Sequence, residues 1–434
     1  MSALPSHQER SGRPRRPARI LVVSNEIPSR TGTGLRMRLY HIVKALAEVG
    51  AIDLFAAFDP AWRKTEPVPA ELSVRRARLL ALPSAGRAEA PARLPRELSG
   101  RRYDLGHTEL ARWAAARYDL VWLSRVESYL CCGPPMAPCV LDLDDIEHCK
   151  VLGRWWAERL PPHPQDRLAA WIALSEASRW RRLQMSAARQ VDVSVVSSAL
   201  DAARLPLPRL TLVPNGYEPP VQAALRVSGR HPTITLPGFL RYGPNVDAAH
   251  LLVRRILPHI RRQVPDVQVR LVGEPDARVS HLHDPPLVTV TGQVPDIRAE
   301  LAATDLIAVP LRYGSGTRIK ILEAFAHRLP VVSTSAGAAG LGAQDGVHLL
   351  IRDSPHAFAA GCVRLLRDGA LRTRLVDGGH ELFVQCYRWP DIRARVVRLA
   401  TDISEGRRPV LHRGGGELVT PEYRPRAGEW PARP

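Results

Sequence analysis

Residues 306–326 have the sequence Leu306-Ile-Ala-Val-Pro-Leu-Arg-Tyr-Gly-Ser-Gly-Thr-Arg-Ile-Lys-Ile-Leu-Glu-Ala-Phe-Ala326. The segment opens with an unbroken apolar run, Leu306–Val309, which is typical of a parallel strand buried on both faces. A loop with two glycines follows, and after it apolar side chains recur at helical spacing. A strand, a loop and a helix in this order predict an α/β fold with a parallel sheet.

The same alternation of short strands and helices runs along most of the chain. In the first half, strands are predicted at Ile20–Val23, Ile52–Phe58, Leu120–Leu123, Cys139–Leu143, Val193–Val196 and Leu210–Val213. In the second half, they are predicted at Thr233–Leu236, Val267–Val272, Leu287–Thr291, Leu306–Val309 and Val331–Ser333. Helices are predicted from Leu35 to Val49 and from Val246 to Ile260, with Asn245 as the N-cap of the second.

The alternation occurs twice, and a stretch with Pro, Glu and Gly near residues 218–231 separates the two halves. We therefore predict two Rossmann-like domains that face each other across a cleft. The first is predicted at residues 19–222 and the second at residues 230–390. Residues 1–18 and 408–434 are rich in Pro, Arg and Gly and lack periodicity, so they are expected to be disordered tails.

The composition excludes several classes of protein. Of the 434 residues, 45% are hydrophobic and 24% are charged, which is close to the globular average. No apolar run approaches the length of about 18 residues that a membrane-spanning helix needs. The basic N-terminus lacks the apolar core of a secretory signal, so a cytoplasmic protein is expected. The six cysteines contain no CxxC pair, and buried thiols are expected rather than a zinc site.

The charge balance indicates the kind of partner. The chain has 61 Lys and Arg against 43 Asp and Glu, which gives a net charge of +18. Such a surface attracts phosphate-bearing molecules, and peripheral contact with an anionic membrane is one expectation. A specific nucleic-acid partner is not expected, because no basic motif with interleaved aromatic residues is present.

The loop after the strand at 306–309 is the first candidate site. Gly316 allows the backbone to approach a ligand closely, and Thr317 could cap the helix that follows. The start of a helix presents free N–H groups and a positive dipole, and Arg318 and Lys320 add full charges, so the site suits phosphate. Glu323 shares a helix face with Lys320 and could accept hydrogen bonds from ribose hydroxyls. The alternative is a surface ion pair on an ordinary amphipathic helix.

Two further sites are suggested by shorter patterns. The loop Pro237–Asn245 leads from a predicted strand into a helix, and Arg241 could reach a diphosphate from it. Asp142 and Asp144 lie at the end of another predicted strand. Their spacing could hold a divalent metal, but contact with a substrate or a structural role is an alternative.

A third pattern lies in the loop Ser29–Leu35, between the first predicted strand and the first predicted helix. Its Gly32 and Gly34 match the opening of a dinucleotide-binding fingerprint, but Met37 occupies the place of the third glycine. A glycine-rich turn without a ligand is the alternative.

Together these residues resemble the group-1 (family four) glycosyltransferases of the GT-B fold. The resemblance covers about residues 19–405 and depends on the order and spacing of its motifs. The motifs are Arg19-Ile-Leu-Val-Val-Ser24 with the loop Thr31–Gly34, Val213-Pro-Asn-Gly-Tyr217, Tyr242-Gly-Pro-Asn-Val-Asp-Ala248, Val272-Gly-Glu-Pro275, Val290-Thr-Gly-Gln-Val-Pro-Asp296, Val309-Pro-Leu311, Gly316-Thr-Arg-Ile-Lys-Ile-Leu-Glu-Ala324 and Leu329-Pro-Val-Val-Ser-Thr334.

The resemblance implies an enzyme that moves a sugar from a nucleotide-diphosphate sugar to an acceptor, with retention of anomeric configuration. The donor, with UDP or GDP as its nucleotide, would be held mainly by the second domain. The acceptor, which is a glycan, a lipid-linked molecule or a small molecule, would be held mainly by the first. No metal and no other cofactor is implied.

The resemblance also assigns roles to individual residues. Arg318 and Lys320 correspond to cations that neutralise the departing diphosphate, Glu323 to a ribose-binding carboxylate and Gly34 to a flexible loop near the donor phosphates. The helix that follows Trp389-Pro390, over residues 391–407, would cross back onto the first domain. The alternative is a helix that only caps the second domain.

One position departs from the pattern of the family. These enzymes often have two glutamates eight positions apart, of which the first contacts the transferred sugar, and here that position is Ser315. Front-face transfer assisted by the leaving phosphate is the mechanism that the resemblance implies. Two other functions stay open: a nicotinamide-dependent oxidoreductase that uses the Gly32/Gly34 loop, and a noncatalytic nucleotide-sugar-binding protein.

Overall fold

The structure is a computed structural model, and it describes residues 17–59, 67–83, 94–114, 117–135, 137–157, 167–204, 207, 209–220 and 231–407. Within these ranges the chain forms two parallel sheets, one of seven strands and one of six. The tails predicted at 1–18 and 408–434 fall outside the described ranges except for residues 17 and 18, as does most of the separating stretch near 218–231.

The first half of the chain builds the seven-stranded sheet. Its strands are β1 (Ala18–Ser24), β2 (Gly50–Phe58), β3 (Arg76–Ala81), β4 (Leu120–Ser124), β5 (Cys139–Asp144), β6 (Val193–Val196) and β7 (Leu210–Leu212). The helices around it are α1 (Gly34–Leu46), α2 (Arg96–Ser99), α3 (Tyr103–Trp113), α4 (Val126–Cys132), α5 (Glu147–Ala157), α6 (Arg167–Arg189) and α7 (Ala199–Arg204). The strand order is β3-β2-β1-β4-β5-β6-β7, and neighbouring strands are parallel.

The second half builds the six-stranded sheet. Its strands are β8 (Thr233–Pro237), β9 (Gln268–Val272), β10 (Val288–Gly292), β11 (Leu306–Val309), β12 (Val331–Ser333) and β13 (Leu350–Ile351). Its helices are α8 (Gly243–Leu251), α9 (Leu257–Arg261), α10 (Ala277–Ser280), α11 (Ile297–Ala302), α12 (Ile319–Ala326), α13 (Ser335–Ala338), α14 (Pro355–Arg367), α15 (Gly369–Cys386) and α16 (Trp389–Ser404). The order β10-β9-β8-β11-β12-β13 is again parallel throughout.

Two edge strands were not predicted from the sequence. Strand β3 has arginines at Arg76 and Arg78, and it is only half-buried, so it lacks the apolar run that marks a central strand. Strand β13 has two residues, which is too short for any periodic signal. Both strands lie at the edge of a sheet, where one side of the strand needs no partner.

Helix α8 begins earlier than predicted. Its first residue is Gly243 and its N-cap is Tyr242, so the assignment of Asn245 as the N-cap was wrong. Pro244 explains the early start, because its fixed φ and missing N–H favour the first turn of a helix. A π-helical turn at Leu252–Ile256 then joins α8 to α9 without a break, so the helix predicted from Val246 to Ile260 is confirmed as one helical segment.

Helix α16 belongs to the core of the first domain. Its apolar residues Ile392, Val396 and Ala400 are buried in the same cluster as Ile20 of β1 and Leu39 of α1. The alternative, a helix that only caps the second domain, is therefore wrong. The predicted fold, two Rossmann-like domains with a C-terminal helix that crosses back to the first, is confirmed.

The strand order decides where a ligand can lie. In each sheet the connection reverses direction once, between β1 and β4 in the first sheet and between β8 and β11 in the second. Loops leave these adjacent strands toward opposite faces of the sheet, which opens a crevice at their carboxyl ends. Three of the loops chosen from the sequence follow β1, β8 and β11, so they lie at these two crevices.

All six cysteines are free thiols, of which Cys131, Cys139 and Cys362 are buried and the other three are half-buried. Burial raises the pKa of the Cys131 thiol to about 12, so it packs as a small apolar side chain. Within the described ranges, no helix is both long enough and apolar enough to cross a membrane.

Candidate functional site

The loop between β11 and α12 lies between the two domains. Arg312 donates a hydrogen bond from Nη1 to the carbonyl oxygen of Ala157 at the end of α5, at 2.5 Å. The hydroxyl of Thr317 accepts from the N–H of Asn215 (3.3 Å) and donates to the carbonyl of Ser197 (3.2 Å). This loop of the second domain thus contacts the first domain at three separate residues.

The structure corrects the role expected of Thr317. Its side chain does not cap α12, because its hydroxyl is already used in the bonds to the first domain. The N-cap residue is Arg318, and its side chain forms no capping hydrogen bond. The N–H groups of Ile319 and Ile321 already donate to the carbonyl oxygens of Thr317 and Arg318, so the start of α12 offers an anion mainly the positive end of its dipole.

Two glycines make the close approach of the domains possible. Gly316 has a φ of +72°, and a Cβ built on it would lie 2.3 Å from Oδ1 of Asp145 in the first domain. Gly34 is the first residue of α1, and a Cβ there would lie 2.7 Å from Cδ1 of Ile319 in α12. A Cβ at either position would force the facing side chain to move, and at Gly316 the positive φ would also strain any larger residue.

Arg318 is buried at the start of α12. Its guanidinium donates to the carbonyl oxygens of Ser315 and Gly316 in its own loop and, at 3.4 Å, to that of Ala336. Nε has no hydrogen-bond partner among the described residues. The side chain therefore fixes the shape of the loop and also places a positive charge at the positive end of the helix dipole.

Lys320 lies where the loops after β8 and β11 meet. Its Nζ donates a hydrogen bond to Oδ1 of Asn245 at 2.5 Å. A Cβ built on Gly238 would lie 3.1 Å from the same Nζ atom. Burial and the neighbouring charge of Arg318 lower the pKa of Lys320 to about 7, although Glu323 acts in the opposite direction. Without a ligand, this ammonium has an amide oxygen as its partner rather than a carboxylate.

Glu323 lies one turn further along α12. The pKa of Glu323 is raised to about 7. Burial is the main cause, and the hydrogen bond from the Tyr217 hydroxyl and the charge of Lys320 offset it only in part. Tyr217 is on the segment that leaves the first domain, and its backbone pairs with Arg388 just before α16. Glu323 therefore lies beside both crossings between the domains.

The structure thus brings Arg318, Lys320 and Glu323 together at the crevice of the second sheet. It does not join Arg241 to them. The Arg241 side chain is exposed and forms an ion pair with Glu274, which follows β9, at 3.1 Å. The hydroxyl of Ser315 is buried and has no hydrogen-bond partner among the described residues.

Sequence reasoning missed a buried ionic cluster in the first domain. Arg38 binds both oxygens of Asp142 at 2.8 Å and donates to Oδ1 of Asn215 at 3.0 Å. Asn215 donates in turn to Asp144 at 2.9 Å. Burial and the charge of Asp145 raise the pKa of Asp144 to about 6, against the effect of Arg38. Asp142 therefore has a structural role, and among the described residues no group of His, Cys, Asp and Glu is arranged as a metal site.

A second set of charges lines the first domain's side of the crevice. Lys150 of α5 pairs with Glu147 at 2.6 Å and with Asp145 at 3.6 Å. Arg125 contacts Glu147 from the end of β4. The Lys150 ammonium also lies 5.9 Å from the ring centre of Tyr242 in the second domain. Carboxylates and cations therefore face the loop that carries Gly316.

Some of these residues had a signal in the sequence. Asn215, Tyr217 and Asn245 all lie in the motifs that carry the family resemblance, where they served as markers rather than as site residues. Arg38 is a charged residue four positions before Ile42 on the apolar face of α1. A charge on the buried face of a helix requires a buried partner. The identity of that partner depends on the fold.

Comparison with known proteins supports the same family. Residues 231–368 match the family model described as Glycosyl transferases group 1. The phosphatidyl-myo-inositol mannosyltransferase of Mycobacterium leprae (strain TN) is 31% identical over 150 residues, which are 33% of this chain and 40% of that protein. The chain thus spans about two fifths of the length of the curated relatives it matches.

Solved structures match over nearly the whole chain. The sucrose-phosphate synthase of Thermosynechococcus elongatus covers 90% of this chain and 100% of its own, with a TM-score of 0.65 and 18% identity. Anabaena Alr3699/HepE in complex with UDP-glucose covers 89% of this chain and 100% of its own, with a TM-score of 0.57 and 15% identity. At these identities the likeness shows the fold alone. Neither the oxidoreductase nor the noncatalytic alternative is favoured by these matches.

Proposed function

We propose that this chain transfers a sugar from a nucleotide-diphosphate sugar to an acceptor. Its residues 231–368 match the group 1 glycosyltransferases, and its fold is that of the GT-B enzymes. The observation that carries the proposal is the grouping of Arg318, Lys320 and Glu323 at the interdomain crevice. Two cations and a carboxylate in this order suit a diphosphate followed by a ribose.

In this proposal, negative charge grows on the leaving diphosphate as the bond to the sugar breaks. Preorganised positive charge stabilises that change more than it stabilises the bound donor, so it accelerates the reaction. Lys320 would exchange the amide oxygen of Asn245 for a phosphate oxygen. The positive end of the α12 dipole would add to this charge. Glu323 would accept hydrogen bonds from the ribose.

The finer features of the proposal follow the family resemblance. The donor nucleotide is UDP or GDP, the anomeric configuration is retained, and no metal takes part. One structural neighbour was solved in complex with UDP-glucose, and the matched relatives are named as mannosyltransferases of a phosphatidylinositol. These likenesses support a nucleotide-sugar donor and a lipid-linked acceptor. The net charge of +18 supports peripheral contact with an anionic membrane, which the proposal places on the cytoplasmic side.

The test begins with a panel of UDP-, GDP-, ADP- and TDP-sugars in a thermal-shift assay, because a ligand that binds only the folded state raises its apparent stability. The donor that stabilises the protein is then used in a transfer assay, and the anomeric configuration of the product is read by NMR. We expect Lys320→Ala to reduce the transfer rate on the order of 100-fold, as the loss of one preorganised charge in a catalytic site does.

Lys44→Ala serves as the matched control, since Lys44 is one of the four lysines of the chain and lies at the end of α1. It should transfer sugar at the wild-type rate. A folded Lys320→Ala variant that keeps the wild-type rate would contradict the site. Stabilisation by NADH and by none of the nucleotide sugars would contradict the function.

A further inference from the structure

Three large apolar side chains stand exposed where α5 ends and α6 begins. Trp156, in the last turn of α5, is 55% exposed, and Trp171 and Leu174, in the first turns of α6, are 68% and 56% exposed. The two helices pack against each other. We call these three residues the aromatic tip. Within the described ranges they are the three most exposed large hydrophobic side chains, and such clusters mark interaction surfaces.

The exposed face of α6 changes from apolar to basic along the helix. Beyond Leu174 it continues through Ser178 to Arg181 and Arg182, at steps of three and four residues, and all three are exposed. Glu176 is the one acidic residue of α6. Its carboxylate is already used, because it accepts the N–H of Arg96 at 2.7 Å. The outer surface of α6 is therefore aromatic at one end and positively charged at the other.

This distribution favours the surface of an anionic bilayer over the surface of another protein. Indole rings prefer the headgroup level of a membrane, where their apolar body and polar N–H are both accommodated. Arginines on the same helix face attract anionic headgroups, and the two contributions together hold a helix in the plane of the interface.

The aromatic tip lies beside the interdomain crevice. Ala157, next to Trp156, accepts a hydrogen bond from Arg312 of the loop that carries Arg318. At the other end of α5, Lys150 faces Tyr242 across the crevice. Helix α5 has 11 residues and is about 16 Å long, so it connects the charges of the crevice to the tip over a short distance.

We propose that the aromatic tip docks this protein on an anionic phospholipid bilayer. Trp156, Trp171 and Leu174 insert among the headgroups, and Arg181 and Arg182 face the lipid phosphates. In this orientation the crevice opens beside the bilayer, where an acceptor with a lipid anchor could enter it. The statement about the acceptor rests on the proposed function, and the docking assigns a surface to the membrane contact proposed there.

The experiment is flotation of the full chain with vesicles of phosphatidylcholine alone or of phosphatidylcholine with phosphatidylglycerol. The wild type should float with the anionic vesicles and release at high salt. The triple variant Trp156→Ser, Trp171→Ser, Leu174→Ser should bind the anionic vesicles at least about tenfold more weakly than the wild type, since it loses most of the apolar area of the aromatic tip. Arg181→Glu with Arg182→Glu should lose the preference for phosphatidylglycerol.

The control is Val347→Ser with Val384→Ser, which removes two exposed apolar side chains from the second domain. It should float like the wild type. The docking is refuted if the triple variant floats as well as the wild type, or if the wild type does not bind vesicles. It is also refuted if the triple substitution changes the oligomeric state of the protein in solution instead of its vesicle binding, because the tip would then be a contact between copies.

The two proposals fail in different ways. Vesicle binding is measured without donor or acceptor, and the thermal shift with a nucleotide sugar is measured on every variant without vesicles. A triple variant that transfers sugar to a soluble acceptor while it no longer floats is the expected result. Flotation without any donor binding would leave the docking in place and contradict the proposed function.

Discussion

Lys320 and Glu323 show how burial changes the chemistry of single residues. Both pKa values lie near 7, because burial disfavours the charged form of each side chain. The opposite charge of the other side chain offsets only part of this effect. A bound diphosphate would provide the opposite charge that Lys320 lacks. A bound ribose would provide the hydrogen-bond donors that stabilise the carboxylate of Glu323.

This arrangement predicts a bell-shaped pH dependence of donor binding with its maximum near pH 7. The diphosphate raises the pKa of Lys320, so the affinity is complete below about pH 7 and falls as the pH rises through it. The ribose lowers the pKa of Glu323, so the affinity falls as the pH drops below about 7. Each limb has a limiting slope of about tenfold per pH unit.

Calorimetry with UDP-glucose measures these limbs, because the diphosphate of this donor has no proton to lose near neutral pH. Glu323→Gln should remove the acid limb and leave the alkaline limb. Lys320→Gln should bind weakly and lose the alkaline limb. An affinity that is constant across neutral pH in the wild type would refute the assignment of both residues.

Helix α16 shows how an element at the end of the chain stabilises a domain at its beginning. Trp389 is 1% exposed and stacks on His41 of α1, with ring centres 4.2 Å apart. Burial and the charge of Arg393 lower the pKa of His41 to about 2, so the imidazole is neutral and stacks as an uncharged ring. Arg393 itself bridges His41 and Glu218.

We expect Trp389→Ala to destabilise the first domain by about 3–5 kcal/mol, as the removal of a fully buried aromatic side chain does. The measurement is urea unfolding, with hydrogen exchange to show that the loss of protection falls in α1 and β1. Trp171→Ala is the matched control. Trp171 is 68% exposed, so its removal should change the stability by no more than about 0.5 kcal/mol. Equal losses for the two variants would contradict the docking of α16 on the first domain.

At the scale of the whole molecule, the site depends on how closely the domains approach. Gly34 meets Ile319, and Gly316 meets Asp145, at positions where a Cβ would displace the facing side chain. The proposed donor-binding groups and the facing charges of the first domain lie together in this arrangement. Closure of this kind excludes the water that would otherwise hydrolyse an activated sugar.

We expect Gly34→Leu to weaken donor binding about tenfold if it leaves the closed arrangement as a minor state of about one in ten. Leucine favours a helix more than glycine does, so the loss cannot come from the stability of α1 itself. Ile319→Ala removes the atom that the new side chain would strike, and it should restore binding in the double variant.

Small-angle scattering and calorimetry measure closure and affinity in these variants. Gly100→Leu is the control, since a Cβ at that position has no neighbour within 4 Å. If Gly34→Leu binds the donor like the wild type, the contact between α1 and α12 has no part in closure. If Ile319→Ala fails to restore binding, the effect of the leucine is not steric.

The sequence by itself determined the fold and the positions of the loops. Buried parallel strands are continuous apolar runs, and amphipathic helices repeat at a fixed period, so both are local patterns. Strand β11 and the glycines before α12 were therefore located correctly. Arginine-bearing β3 and two-residue β13 were not, because an edge strand carries little of the local pattern.

The partners of the side chains were decided by the tertiary structure. The sequence position of Thr317 is typical of a helix cap, yet its hydroxyl donates to Ser197 of the first domain. The position of Asn245 is also typical of an N-cap, yet its side chain accepts a hydrogen bond from Lys320. Arg38 and Asp142 are more than a hundred positions apart and form one buried pair. Contacts of this kind depend on which strand ends lie side by side, and strand order is set by packing over the whole sheet rather than by any local run of residues.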